Sequence, residues 1–187
     1  MTHRRERPGR VVQGLLVAVA LSLCGVSSGL AQEPLPQSAR EKVEAVARRI
    51  MSAARFCSLV TIGDQGAPQA RIVDPLEPDA SLTIYVATNP RSRKVSEITR
   101  DSRVTLLYFD TVRLGYVTVI GRASEVTGSE KRGHYKKDWE GFFARNQPET
   151  YTLYRIVPSR MEVVSAQDGL TGDTATWRPE ILDLKPH

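Results

Sequence analysis

Between residues 43 and 51 the apolar positions Val43, Val46, Ala47, Ile50 and Met51 recur at helical spacing. That spacing predicts one helix of about four turns with a single stripe to bury. Ser38 and Glu41 stand at the spacing of a capping box, so the helix is expected to begin at Ser38. Beyond it the period shortens to two. Residues 57–62 and 68–74 read as strands around Gly63-Asp64-Gln65-Gly66, a glycine-bounded hairpin loop. Residues 82–87 form a third strand, rich in β-branched and aromatic side chains. Residues 104–109 and 115–126 give a fourth and a long fifth, with a short turn near Asp110 and Thr111. Helical spacing returns over 129–145, with Trp139, Phe142 and Phe143 on one side. A strand over 152–165 follows, and one more short strand is expected within 174–184. Six or so strands joined by tight connections favour a closed barrel over an open sheet. The chain has no internal repeat and no low-complexity segment.

The first thirty-one residues do not fit that pattern. Arg4, Arg5, Arg7 and Arg10 precede an apolar run over 11–23, and Gly29-Leu30-Ala31 supplies small residues where a signal peptidase cuts. This order predicts a secretory signal peptide over 1–31, a proline-containing linker over 32–37 and one domain over 38–187. The run of about thirteen residues is short for a membrane span, which needs roughly 20, so no stable span is expected after cleavage. Retention of the leader as an anchor stays open. Leu23 before Cys24 argues against a lipoprotein. Glu6, Arg7 and Pro8 after Arg4-Arg5 favour ordinary Sec export over the twin-arginine route. The expected location is periplasmic or secreted.

Removing the leader lowers the formal charge from +5 to +2, so the apparent basicity belongs mostly to the export signal. No nucleic-acid partner is implied. Cys57 is then the only cysteine, within the apolar run 56–62, and reads as a small buried hydrophobe. His134 lies among charged residues and reads as a solvated surface histidine. No cluster has metal-ligand spacing.

The chemistry gathers between Arg71 and Lys94. After the third strand comes Thr88-Asn89-Pro90-Arg91-Ser92-Arg93-Lys94, in which Asn89 suits a helix N-cap and Pro90 the first helical position. A helix starting there presents unpaired N–H groups and a positive dipole end. Three cations near such a terminus are unfavourable unless an anion joins them, and a phosphate monoester accepts several charge-assisted hydrogen bonds at once. A solvated basic helix start is the alternative. Arg71 adds weight, because it occupies an internal strand position between Ala70 and Ile72 and its charge requires a partner. If the second strand lies beside the third, Arg71 converges with Ser92 and Lys94. An edge-strand arginine facing water is the competing reading.

Ser58-Leu59-Val60-Thr61-Ile62, Pro68-Gln69-Ala70-Arg71-Ile72-Val73, Ile84-Tyr85-Val86-Ala87-Thr88 and Ser92-Arg93-Lys94-Val95 together resemble the pyridoxamine 5′-phosphate oxidase-like superfamily of FMN-binding split barrels, particularly its small general-stress-protein branch. The resemblance implies a mainly β fold with flanking helices, a six-stranded split β-barrel. It also implies a homodimer holding FMN at the subunit interface. Carried over by position, Arg71, Ser92 and Lys94 contact the FMN phosphate, with Arg93 as a further partner. The backbone of Ile72, Val73 and Asp74 and of Val86, Ala87 and Thr88 lines the isoalloxazine ring. Gly121 and Arg122 reach the flavin from the other subunit.

Redox chemistry in such a site belongs to the flavin, so no catalytic acid, base or nucleophile is assigned to the protein. Thr176-Trp177-Arg178-Pro179-Glu180 departs from the C-terminal arginine motif of true pyridoxamine phosphate oxidases, which argues against vitamin B6 oxidation. The leading expectation is an exported flavin-dependent oxidoreductase acting on another small molecule. A non-catalytic binder of FMN or of the deazaflavin F420 is the alternative. A haem-binding protein is disfavoured, with only His134 and His187 as histidine ligands after cleavage.

Overall fold

The computed structural model describes residues 35–143 and 147–184. The expected leader and residues 32–34 of the linker lie outside the described residues. Helix α1 (Gln37–Ala54) begins one residue before Ser38, and no side chain caps it. Pro36, at φ −53° and ψ 150°, makes the entry turn instead, and Glu41 accepts from the Gln37 amide at 2.8 Å. The expected capping box is therefore not formed. All five residues of the predicted stripe, Val43 to Met51, are buried.

Strands β1 (Cys57–Ile62) and β2 (Pro68–Val73) form the expected hairpin, in register from Cys57↔Val73 to Ile62↔Pro68. Strand β3 (Ile84–Thr88) begins two residues later than its periodicity predicts. Leu82 takes φ 65°, and the Asp79 carboxylate holds the turn by accepting from the N–H groups of Ser81 and Thr83 at 2.8 and 2.9 Å. Helix α2 (Arg93–Arg100) leads into β4 (Arg103–Asp110) and β5 (Gly115–Val126). Helix α3 (Gly128–Gly133) precedes β6 (Thr152–Val164) and β7 (Glu180–Asp183).

The antiparallel sheet runs β2-β1-β4-β5-β6-β3, with β7 added to β6. Strand β6 is long enough to pair with β3 over its first half and with β7 over its second. The path does not close. Strands β2 and β3 end it without a ladder between them, and just beyond them the Leu76 N–H donates to the Tyr85 carbonyl at 2.9 Å. The barrel is split, as the family resemblance implies and in place of the closed one that strand number favoured. Inside it Leu59, Leu106, Tyr108, Val117, Val119, Ile156, Met161 and Val163 are buried together, and α1 lays its stripe across β4 to β7. Among the described residues no helix is long and apolar enough to cross a membrane.

The helix expected over 129–145 is not continuous. Only α3 and a short 3-10 turn, Lys137–Gly141, are present among the described residues. The chain leaves the helix after Gly133 because its next side chains are committed elsewhere. Lys136 Nζ donates to Asp74 Oδ1 at 2.5 Å and to the Pro75 carbonyl at 2.9 Å. The Trp139 indole N–H donates to the Asp74 carbonyl at 3.0 Å. Trp139 thus buries itself with Tyr85, Val126, Tyr151 and Leu153 in a second, smaller core.

Candidate cofactor site at the barrel seam

The turn before α2 is built differently from the expected helix start. Asn89 Oδ1 accepts from the Arg91 N–H at 2.8 Å, and the Asn89 carbonyl accepts from the Ser92 N–H at 2.9 Å. Asn89 and Pro90 therefore shape a preceding turn, and the helix begins three residues later, with Ser92 at the N-cap position and no acid in its first turn. This delay places Arg93 and Lys94, rather than Arg91, at the start of the helix. Thr88 Oγ1 sits 3.1 Å from Ser92 Oγ and accepts from Lys94 Nζ at 2.7 Å, so the end of β3 and the start of α2 converge on one point.

Arg71 reaches the same region from β2, across the seam and not from an adjacent paired strand. Its charge already has a partner. One guanidinium nitrogen donates to Glu97 Oε2 at 2.6 Å and the other to Thr61 Oγ1 at 2.5 Å. An unpaired Arg71 is therefore not the reason to expect an anion. Glu97, on α2, is 2% exposed; its Oε2 also accepts from Thr61 Oγ1 at 2.5 Å, and its Oε1 lies 2.9 Å from Arg93 Nε. Burial pushes its carboxyl up, but the Thr61 and Arg71 hydrogen bonds and the Arg71 and Arg93 charges outweigh that and hold it below the usual carboxylate range. Lys94 is pushed below the usual lysine value by burial and then by the Arg71 charge.

A cleft of about 410 Å³ opens along the seam. Ile72, Val73 and Asp74 line one side, and Ala87, Thr88, Asn89 and Lys94 line the other. Phe56, Trp139, Phe142 and Phe143 complete its walls. The cleft is thus cationic at the α2 end and apolar along its length. Six of the expected contact residues, Ile72, Val73, Asp74, Ala87, Thr88 and Lys94, line it directly. Ser92 is tied to its cationic end through Thr88, whereas Arg71 and Arg93 do not line the cleft and bond to Glu97, Thr61 and Gln69 beside it. The Val86 side chain points into the core. Gly121 and Arg122 line a different, smaller cleft with Val60, Arg103 and Ser159, at the bulge where β5 meets β6, and Arg122 donates to Ser102 Oγ at 3.0 Å.

Glu97 and Thr61 were missed by reasoning from residue types. The available signal was the i,i+4 spacing of Arg93 and Glu97 within a basic helix start. His134 is not simply solvated: its ring stacks on Tyr85 with centroids 3.8 Å apart, and its Nδ1 lies 2.9 Å from the Glu130 carbonyl. A larger cleft of about 770 Å³ lies between α1, β3, β6 and β7, but its acids Asp79 and Asp183 are already committed to the local turn and to Arg160. Its cations Arg40 and Arg155 donate to the Asp183 carbonyl and to Glu130. Among the described residues no group of three or more His, Cys, Asp or Glu is placed to hold a metal ion.

The family model described as pyridoxamine 5′-phosphate oxidase matches residues 43–165. No curated protein matches the chain. Among solved structures, the chain is similar to a Clostridium acetobutylicum protein related to general stress protein 26 of Bacillus subtilis. That match has TM-score 0.64 and 13% identity, and covers 76% of this chain and 95% of the other. A haem-binding protein of Mycobacterium smegmatis aligns with TM-score 0.58 and 16% identity, over 80% of this chain and 60% of its own. A pyridoxamine 5′-phosphate oxidase-related, FMN-binding protein of Nostoc punctiforme aligns with TM-score 0.52 and 12% identity, over 84% and 100%. At these identities the structural likeness is one of fold.

Proposed function

Because the chain belongs to the pyridoxamine 5′-phosphate oxidase family, we propose that it is an exported FMN-binding flavoprotein that exchanges electrons with a small molecule at the barrel seam. One observation carries this reading: a slot with phosphate-suited donors at one end and apolar, aromatic walls along the rest. Its volume falls within the range of about 300–1,000 Å³ usual for cofactor sites. Ser92, Lys94, Arg71 and Arg93 suit a phosphate monoester. Ile72, Ala87 and the aromatic side chains suit a flat ring. When bound, FMN supplies the electron transfer. The residues of the chain hold the phosphate, orient the ring and keep water from it.

The outer face of the sheet supports a homodimer. Ile72, Leu107 and Phe109 are 67%, 42% and 49% exposed. Register places Ile72 opposite Ser58, Ser58 opposite Leu107 and Leu107 opposite Thr118 on one face, and such a patch marks an interaction surface. Arg122 pairs with Arg103 on that same face. A second copy seated there brings Arg122 towards its partner's seam, which the first copy's own Arg122 does not line. The haem reading is not favoured, because His134 is held between Tyr85 and the Glu130 carbonyl and does not line the seam.

The test is a visible spectrum of protein purified from the exported fraction. Flavin bands that bleach under anaerobic reductant and return with an oxidant are expected. Colourless protein that takes up no added FMN sinks the proposal. A bound flavin that no donor or acceptor alters leaves the non-catalytic binder in its place.

A further inference from the structure

Beside the cationic end of the seam the fold buries an anion, Glu97. Glu97 is buried between three donors: Thr61 and Arg71 on one carboxylate oxygen and Arg93 on the other. A buried carboxylate within a proposed anion site is costly unless it has a task, since it repels the ligand while requiring neutralisation itself. The geometry supplies that task. A guanidinium carries five N–H donors in a rigid fork. Arg71 commits one to Glu97 and one to Thr61, and Arg93 commits one to Glu97 and one to Gln69, the latter at 3.0 Å. The remaining donors of both forks are thereby fixed in direction. Without Glu97, two long side chains beside Lys94 would repel one another and lose their orientation.

We propose that Glu97 is a positioning residue that aims Arg71 and Arg93 at one phosphate group in the seam. The proposal rests on the FMN reading for the identity of that phosphate. Arg71, Arg93 and Lys94 carry three positive charges and Glu97 one negative, which leaves the site at +2. A phosphate monoester carries about −1.5 to −2 near neutrality, so the site matches a phosphate monoester, where three unopposed cations would exceed it. Glu97 does not touch the ligand. It acts through the guanidinium forks, and its effect is confined to the phosphate end.

This confinement makes the role measurable by comparing two ligands that differ only in the phosphate. Affinities of wild type, Glu97→Gln and Glu97→Asp are measured for FMN and for riboflavin, together with the rise in Tm caused by inorganic phosphate. Glu97→Asp keeps the charge but withdraws the carboxylate by one methylene, so it cannot span both guanidinium groups. Both variants are expected to lose about tenfold or more in FMN affinity, the scale of one charge-assisted hydrogen bond, with riboflavin affinity unchanged and the phosphate-induced rise in Tm reduced. Wild-type FMN affinity in Glu97→Asp, or tighter FMN binding in Glu97→Gln, shows that only charge matters and overturns the proposal. A parallel loss for FMN and riboflavin shows general damage to the fold and overturns it as well. Should Glu97→Asp not fold, Thr61→Val, which removes the hydroxyl joining Glu97 to Arg71, is judged by the same ratio. Wild type that responds to phosphate but not to FMN refutes the cofactor reading alone, and Glu97 is then judged from the phosphate series. Wild type that responds to neither refutes both.

Discussion

At the scale of single residues, Lys94 has opposite effects on binding and folding. Burial and the neighbouring Arg71 lower its pKa, so it surrenders its proton at a lower pH in the folded chain than in the unfolded one. Between those two values the unfolded state holds more protons, and stability of the free protein rises with pH. The proposed phosphate ligand needs the charged form. FMN affinity is therefore expected to fall as pH rises through the lowered Lys94 value, and titrations in a series of alkaline buffers check this. Lys94→Ala should weaken FMN by about 1.5–3 kcal/mol at neutral pH and abolish the alkaline dependence. Ser92 and Lys94 drew attention as candidates because they sit in a cationic strand-to-helix turn, whereas Arg71 drew it on the premise of a charge without a partner, which Glu97 and Thr61 in fact supply. Glu97 was not legible: one acid in Ser92-Arg93-Lys94-Val95-Ser96-Glu97 looks like an ordinary surface residue until the fold buries it against β1 and β2. Cys57, by contrast, is buried as its apolar surroundings predict, and burial pushes its thiol up to about 12.

At the scale of elements, α1 is fastened by polar contacts as well as by its stripe. Arg49 reaches Asp110 at the end of β4 at 2.9 Å and Asp168 after β6 at 2.6 Å. Asp110 is held below the usual carboxylate range first by the Arg113 backbone N–H and then by Arg49; Asp168 is held there first by Ser165 and then by Arg49. Carboxylates with lowered folded values contribute stability above their unfolded pKa of about 3.9 and lose it as pH falls through the folded value. Arg49→Ala should accordingly lower the urea midpoint at pH 7, and the gap to wild type should narrow as pH falls below the unfolded carboxylate value of about 3.9 and through the lowered folded values. An equal gap throughout contradicts this account. Strands such as β1 and β4 were legible because alternation survives in them, β3 because its residues are β-branched and aromatic although it is buried at consecutive positions, and the α1 stripe because every member is buried. The segment 129–145 was misread because Trp139, Phe142 and Phe143 keep helical spacing while Trp139 is held by the carbonyl of Asp74, 65 residues away. No local pattern encodes a partner at that distance.

At the scale of the whole molecule, strand order was the part that periodicity leaves open. Composition marks β3 as a strand but does not say that it pairs with β6 and leaves β2 across a gap. The proposed dimer is tested here. Leu107→Glu places a charge in the centre of the exposed apolar face and, by sedimentation, should shift the protein from dimer to monomer. Loss of FMN with the dimer is expected if Arg122 serves the partner's site; a monomer that binds FMN as tightly as wild type removes that role. The unjoined seam has a further consequence for assembly. Among the described residues, strands β2 and β3 each present one edge that no strand pairs, although the Leu76 N–H meets the Tyr85 carbonyl of β3, and such an edge is the kind on which chains stack into aggregates. A ligand wedged between those edges blocks that stacking, and it stabilises the native state by mass action, by about 2.7 kcal/mol at a hundredfold excess over Kd. A chain that crosses a membrane unfolded and meets its ligand only afterwards passes through an interval with both edges bare. If, as proposed, this chain is exported unfolded and binds FMN only afterwards, supply of the ligand in the receiving compartment would set the yield of folded protein.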